Sequence, residues 1–297
     1  MSKLLASGLL LLFFFIPVIS AQENPDTSYW TFGGMGNLSL SQVSLTNWAA
    51  GGENSFSSNI LANGSAKYNK GKSSWENLLI LGYGLMKQGE EGWKKTDDRI
   101  EFASKYGRNA FKKWYYSALL GFNTQFTDGF AYPNDSVAIS KIMAPGYINL
   151  SIGLDYKPSE NFNLYFGPLS GKVTYVLDDD LSAIGAYGVE PGENVRYEFG
   201  GLIKSMFKHE IVKNVLFITK LDLFSNYLKN PEKIDVNWEV LLNMKINKYL
   251  SANLNTILLW DDDIKFNVLD SEGLPTGEKK SKVQFKEVFG IGLSANF

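Results

Sequence analysis

Apolar and polar residues alternate along this chain from about residue 29 to its end, and this period of two limits the fold more than any other property of the sequence. Successive side chains of a β-strand point to opposite faces. Alternation sustained over roughly ten residues therefore gives a strand with one oily and one polar face. At 289–297, Phe289, Ile291, Leu293, Ala295 and Phe297 share one parity, against Gly290, Gly292, Ser294 and Asn296. At 236–246, Val236, Trp238, Val240, Leu242, Met244 and Ile246 oppose Asn237, Glu239, Asn243 and Lys245. The same pattern marks 114–126, 148–156 and 250–260. Twelve segments follow, at 29–40, 56–68, 74–87, 97–106, 112–127, 143–157, 161–177, 193–207, 212–228, 234–246, 249–262 and 282–297.

The connections carry the second signal. Five are short, around Asn69–Lys72, Gly107–Asn109, Pro158–Glu160, Lys208–Glu210 and Asn247–Lys248. Six are mostly longer and polar, at 41–55, 88–96, 128–142, 178–192, 229–233 and 263–281. Short and long interleave without exception, which is the pattern of an up-and-down meander with one tight rim and one loopy rim. The expected fold is all-β: a 12-stranded antiparallel up-and-down transmembrane β-barrel of the outer-membrane type, with short periplasmic turns and longer outer loops. Trp30, Trp75, Trp114, Tyr116, Trp238, Tyr249 and Trp260 fall near segment ends, as aromatic girdles do. The competing fold is a soluble sandwich or a lipocalin-like barrel with its oily face inward. Alternation alone does not separate the two.

The first residues read as an address. Lys3 precedes the apolar run Leu9–Ile16, Pro17 breaks it, and Val18-Ile19-Ser20-Ala21 offers small residues for cleavage. This is the layout of a secretory signal peptide, so we expect a leader at 1–21 and one barrel domain at 22–297. Export across a Gram-negative envelope to the outer membrane follows, with lipid and lipopolysaccharide as surroundings. The terminal aromatic Phe297 resembles the signal by which barrel-assembly machinery recognises outer-membrane proteins.

Charge and chemistry narrow the function. The chain carries 29 Lys+Arg against 31 Asp+Glu, so no basic block points to nucleic acid. It has no Cys and one His, and no G-x-S-x-G elbow. With His209 in a short turn at the periplasmic rim, a His general base at the outer leaflet is missing. No catalytic residue and no cofactor are expected, and a lipid-modifying enzyme is the remote alternative. The polar parity instead carries both signs. Glu76, Arg99, Glu101, Lys105, Asp155, Arg196, Glu198, Lys220, Asp222, Glu239 and Lys245 are the candidates to line the lumen. Balanced charge suggests a cross-lumen network rather than a filter of one sign. The leading expectation is a narrow or gated pore for a small polar solute, and the rival is a closed structural or assembly barrel. Asn47, Trp48, Gly51, Gly52 and Glu53 in the first long loop are plug candidates, although the same residues suit a packed turn. The acidic triplets Asp178–Asp180 and Asp261–Asp263 could take a divalent cation or simply form a solvated rim.

Three blocks, Asn47-Trp48-Ala49-Ala50-Gly51-Gly52-Glu53-Asn54, Lys95-Thr96-Asp97-Asp98-Arg99 and Ala144-Pro145-Gly146-Tyr147, resemble those of a bacteroidete family of secreted proteins, domain-of-unknown-function family 3078. The resemblance extends over most of the mature chain. It implies a Gram-negative cell envelope and brings no assigned activity.

Overall fold

The structure is a computed structural model, and it describes residues 29–46, 50, 52–270 and 275–296. The expected leader at 1–21, the plug candidates Asn47, Trp48 and Gly51, and Phe297 lie outside the described residues. In chain order the strands are β1 (Trp30–Val43), β2 (Ser55–Lys70), β3 (Ser73–Gln88), β4 (Lys94–Phe111), β5 (Trp114–Thr124), β6 (Gly129–Phe130), β7 (Ala138–Ser140), β8 (Gly146–Ser159) and β9 (Phe162–Tyr175). A helical turn α1 (Asp179–Ala183) and a 3-10 turn (Ala186–Gly188) follow. The chain continues with β10 (Val195–Val212), β11 (Val215–Asn226), β12 (Ile234–Lys245), β13 (Leu250–Trp260), β14 (Lys265–Leu269), β15 (Pro275–Ser281) and β16 (Gln284–Asn296).

Twelve of these strands close into one antiparallel barrel, in the ring order β1-β16-β13-β12-β11-β10-β9-β8-β5-β4-β3-β2. The four others form two small hairpins, β6-β7 and β14-β15, inside long loops. Each wall strand pairs with its neighbours in sequence, so the meander is uninterrupted. Four of the short connections are two residues long, and the fifth, between Lys245 and Leu250, has four. Two turns lie further along the chain than expected. β4 runs on to Phe111 and turns at Lys112–Lys113, beyond Gly107–Asn109. β10 runs on to Val212 and turns at Lys213–Asn214, so His209 stands on a strand opposite Phe217. The turn needs a left-handed residue, which Lys112 (φ 48) and Asn214 (φ 68) supply, and Asn tolerates that conformation well.

The oily parity faces outward. Ile152 is 64% exposed and Phe289 61%, and Phe32, Tyr116, Leu169, Tyr197, Phe285 and Leu293 stand out similarly on other strands. This ordering excludes the lipocalin-like alternative, in which the same residues would form the core. Aromatic side chains gather at the short-turn rim. Trp30 packs against Tyr68 and Trp75, and Trp114 lies against Tyr156 with ring centres 4.7 Å apart.

The interior is not hollow. Tyr165, Leu202 and Phe224 form a small apolar core inside the wall, with Leu119 against it. The Tyr165 hydroxyl donates to Ser151 Oγ at 2.7 Å, and Ser151 and Ser170 share a 2.6 Å hydrogen bond. A bulge in β9 positions these groups. Gly167 and Pro168 of β9 together oppose Gly153 of β8 between the pairs Ile152–Leu169 and Leu154–Phe166. The extra residue reverses the inward parity, from Asn163 and Tyr165 before it to Ser170, Lys172 and Thr174 after it. A second apolar cluster, Ala144, Val176, Leu181 and Val189 with Tyr187, joins the 125–145 and 176–194 loops over the long-loop rim.

Candidate functional site

The inward face holds three tiers of ion pairs, and many of them join strands that are not neighbours in the wall. Such contacts can only run through the interior. Near the short turns, Asp155 on β8 is fully buried and lies 2.7 Å from Lys105 Nζ on β4 and 3.5 Å from Lys157 Nζ. Lys157 reaches Glu76 on β3 at 2.6 Å. Asn163 on β9 donates to the Asp155 carboxylate.

At mid-height, Arg99 on β4 lies 3.6 Å from Glu239 on β12 and 3.4 Å from Glu101. From β4 to β12 is six steps around a ring of twelve, so the Arg99–Glu239 contact spans a diameter of the barrel. Glu239 also accepts from Lys220 at 2.9 Å and from Asn255 at 3.2 Å. Asp97 sits 3.9 Å from Arg99 Nε and pairs with Lys286 on β16. A cavity of about 50 Å³ lies beside this tier, lined in part by Arg99, Asn255 and Lys286. Such a volume holds a few water molecules.

Toward the long loops, Lys172 on β9 gathers three carboxylates: Asp235 at 3.1 Å, Asp261 at 3.4 Å and Glu198 at 3.6 Å. Arg196 lies 2.6 Å from Glu198 and pairs with Asp263. Lys204 and Asp222 pair along the wall between β10 and β11. Lys245 is exposed near the short-turn rim and makes no ion pair among the described residues. Besides Asp261 and Asp263, which the sequence marks only as part of an acidic triplet, five further members of the tiers, Asp97, Lys157, Lys172, Asp235 and Lys286, are absent from the sequence-derived lining set. Parity within their strands points to four of them, and the β9 bulge hides the fifth, Lys172.

The rim residues have structural partners. Gly52 and Glu53 are exposed beside Gly89–Glu91. Asp178 caps α1 by accepting from Leu181 N at 3.0 Å and pairs with Lys141 at 2.5 Å. The Lys141 hydrogen bond, ahead of the cap, holds the Asp178 carboxyl below its ordinary range. Asp262 accepts from Lys233 at 2.6 Å, Lys265 at 3.1 Å and Ser281 at 2.9 Å. The Lys233 bond is the main reason its pKa falls to about 2. Among the described residues, no group of three or more acidic or His side chains is placed to hold a metal ion.

A pH dependence of the 261–283 loop follows. A carboxyl with a depressed folded-state pKa stabilises the fold fully above its ordinary value near 4, and the contribution is lost as pH falls through the folded value. Amide protection in this loop is expected to fall between about pH 4 and pH 2 in the wild type. Asp262→Asn should show the low-pH protection already at neutral pH. Hydrogen exchange corrected for intrinsic rates measures this, and equal protection in the two proteins at neutral pH would contradict it.

Comparison with known proteins adds little to this geometry. A family model described as "Protein of unknown function (DUF3078)" matches residues 40–130, which covers the first two resembling blocks and stops short of the third. No curated protein matches the chain. Among solved structures, the translocator domain of the autotransporter NalP from Neisseria meningitidis is 8% identical, with 93% of this chain and 90% of that one covered, at a TM-score of 0.38. The COG4313 outer membrane channel from Pseudomonas putida F1 is 11% identical, with 91% and 96% covered, at a TM-score of 0.41. Salmonella typhi OmpF in complex with daunomycin is 9% identical, with 90% and 97% covered, at 0.29. Residues 40–130 of the chain are thus similar to a family of unknown function, and the twelve-stranded closed barrel is established by its own strand pairing.

Proposed function

We propose that this protein is an outer-membrane β-barrel of a Gram-negative cell that acts as a gated conduit for small polar solutes, held closed in the described state by its three tiers of ion pairs. Membrane placement is supported by the continuous apolar exterior. Soluble proteins rarely expose an apolar patch beyond a few hundred Å², and a closed barrel leaves no unpaired backbone to lipid except at a defective seam. A leader at 1–21 would direct export, and the C-terminal segment with Phe297 would engage the barrel-assembly machinery.

The observation that carries the conduit reading is the Arg99–Glu239 contact across the diameter. Ion pairs on separate walls can part and rehydrate without breaking the wall itself, whereas an apolar fill would have to be unpacked. The same sealing pairs also favour a second reading, a permanently closed barrel with a structural role. Planar-bilayer recording separates them. The conduit reading expects rare, brief openings in the wild type and more frequent ones when the middle tier is weakened. Silence in wild type and in an Arg99→Ala/Glu239→Ala double variant would leave the structural reading.

Orientation has its own test. On intact cells an impermeant thiol reagent should label Asp179→Cys in the long-loop rim and spare Ser159→Cys at the short-turn rim. Equal labelling would reverse or remove the assigned topology, and recovery of the wild-type protein in the soluble periplasmic fraction would remove membrane placement.

A further inference from the structure

The short-turn rim carries a collar of cations that the three tiers do not use. Lys70 and Lys72 flank the β2–β3 turn, and Arg108, Lys112 and Lys113 belong to the β4–β5 turn. Lys213 and Lys248 sit in the β10–β11 and β12–β13 turns. All seven are exposed, and none makes an ion pair among the described residues. Two exposed carboxylates stand at the same level, Glu160 and Glu210, so the outer collar is +5 before the lumen-mouth lysines Lys67, Lys208 and Lys245 are added. The whole chain is −2, so cations are sorted to this rim and not spread evenly.

The collar abuts the apolar belt. Lys70 Nζ lies 4.5 Å from the ring centre of Tyr29 and Lys248 Nζ 4.7 Å from that of Tyr249, and both rings are exposed. Lys112 and Lys113 separate Phe111 from Trp114, whose ring centres are 6.2 Å apart. Arg108 pairs in register with the outward-facing Tyr116. A two-residue turn rises at most about 7 Å beyond the wall, less than the Debye length of about 8 Å at physiological ionic strength. Tight turns therefore hold these charges beside the aromatic girdle, at head-group depth, where a long loop would carry them into water. Around the ring the collar covers four of the five short turns and lapses only at β8–β9, where Glu160 and Asn161 stand.

We propose that the short-turn collar binds the head groups of anionic phospholipid, of the phosphatidylglycerol class, in the leaflet that the short turns meet. An unpaired cation within a Debye length of the head groups raises the local preference for an anionic lipid about fivefold. The spread of charge around the perimeter favours lipid over a docked protein. Lipid surrounds a barrel, whereas a protein partner would need the charge gathered on one side. The exposed rings beside the lysines argue the same way, since aromatic side chains at a membrane interface sit at head-group level. The opposite rim differs: Lys141, Lys233 and Lys265 there are already held by Asp178 and Asp262. The proposal rests on the membrane placement above, and on neither the direction of insertion nor conduction along the barrel axis.

The test uses the full-length protein in phosphatidylcholine vesicles. The cysteine-free chain accepts one fluorophore, at Tyr116→Cys beside the collar or at Phe285→Cys near the long-loop end of β16, both outward-facing positions. Nitroxide-labelled phosphatidylglycerol or phosphatidylcholine serves as the quencher. At 116 the phosphatidylglycerol should quench as if about fivefold enriched over phosphatidylcholine, and at 285 the two should quench alike. High salt should erase the difference. Arg108→Gln/Lys112→Asn/Lys113→Gln should abolish it, Lys112→Arg/Lys113→Arg should keep it, and Lys279→Gln/Lys282→Gln at the other rim should leave it unchanged. The salt response of the unmodified collar decides the matter even if the triple variant fails to fold. Equal quenching by the two lipids at 116, equal preference at 116 and 285, or a preference that survives salt and the triple variant overturns the collar. So does salt-sensitive binding of polyglutamate without a lipid preference, which would reassign the rim to an acidic polypeptide. No quenching by either lipid at either position would remove membrane placement itself, and the collar with it.

Discussion

Arg99→Ala is expected to make the barrel leakier and less stable at the same time. Arg99 touches Asp97, Glu101 and Glu239, and its side chain is 15% exposed. Truncation leaves carboxylates facing one another across the interior, and removing one partner of a buried pair typically costs about 3–5 kcal/mol. Lys220 still holds Glu239 and Lys286 still holds Asp97, so the loss should fall near the lower end, about 3 kcal/mol. Repulsion then favours water between the walls, and open events in planar bilayers should become more frequent. Adding Glu101→Gln removes the carboxylate whose ion-pair partner among the described residues was Arg99 alone. It should recover part of the stability while leaving the barrel open, because the diametric tie is still absent. Urea unfolding from lipid vesicles, followed by tryptophan fluorescence, reads the first effect and single-channel recording the second. If Arg99→Ala is as stable as wild type and equally quiet, the middle tier neither seals nor supports the barrel.

Asp155→Ala should have the larger effect on stability alone. Asp155 is wholly buried and is shared by Lys105 and Lys157, so its loss strands two cations in one small space. Lys157 keeps Glu76, whereas Lys105 keeps a 3.4 Å contact with Asn163 and the longer-range attraction of Glu76 opposite it on β3. We expect a loss of about 4–5 kcal/mol, at the upper end for a broken buried pair. Asp155→Asn preserves shape but removes the charge, and it should lie between the two. The temperature at which the folded band disappears on an unheated gel orders the three proteins. Wild-type behaviour of Asp155→Ala would show that water enters this tier freely and screens it.

Much of the fold was legible because a barrel wall is written in the simplest possible code. Parity read from 236–246 or 289–295 gives the correct outward face, and the alternation of short and long connections gives the meander. What the pattern could not give was its own sign, since an oily stripe fits a core or a membrane equally well. The strand ends were less legible at β4 and β10, where Gly107–Asn109 and Lys208–Glu210 look like turns yet pair as strand. The actual turns use Lys112 and Asn214 in left-handed conformations, and a lysine gives no local warning of that. The interior was legible as a set of charges but not as a set of pairs. That Arg99 would meet Glu239, 140 positions away, follows from ring closure and not from any local spacing. Lys172 was concealed for a specific reason: the single extra residue in β9 inverts parity halfway along the strand.

The pairing of Lys286 with Asp97 has a consequence for how the chain becomes a barrel. β4 is made early and β16 last, so until nearly the whole chain is made the carboxylate of Asp97 has only Arg99, 3.9 Å away and shared with Glu101, as a counter-ion on its own strand. Until then, a growing sheet would carry an unbalanced charge on the face about to be enclosed. The final strand therefore delivers two things together, the hydrogen bonds that close the ring and the cation that neutralises its contents. A chain cut before β16 should stall as an open, charged sheet rather than close as an eleven-stranded ring. Completion of the wall and settlement of its interior are one event, which gives quality control a natural checkpoint at the C-terminal strand.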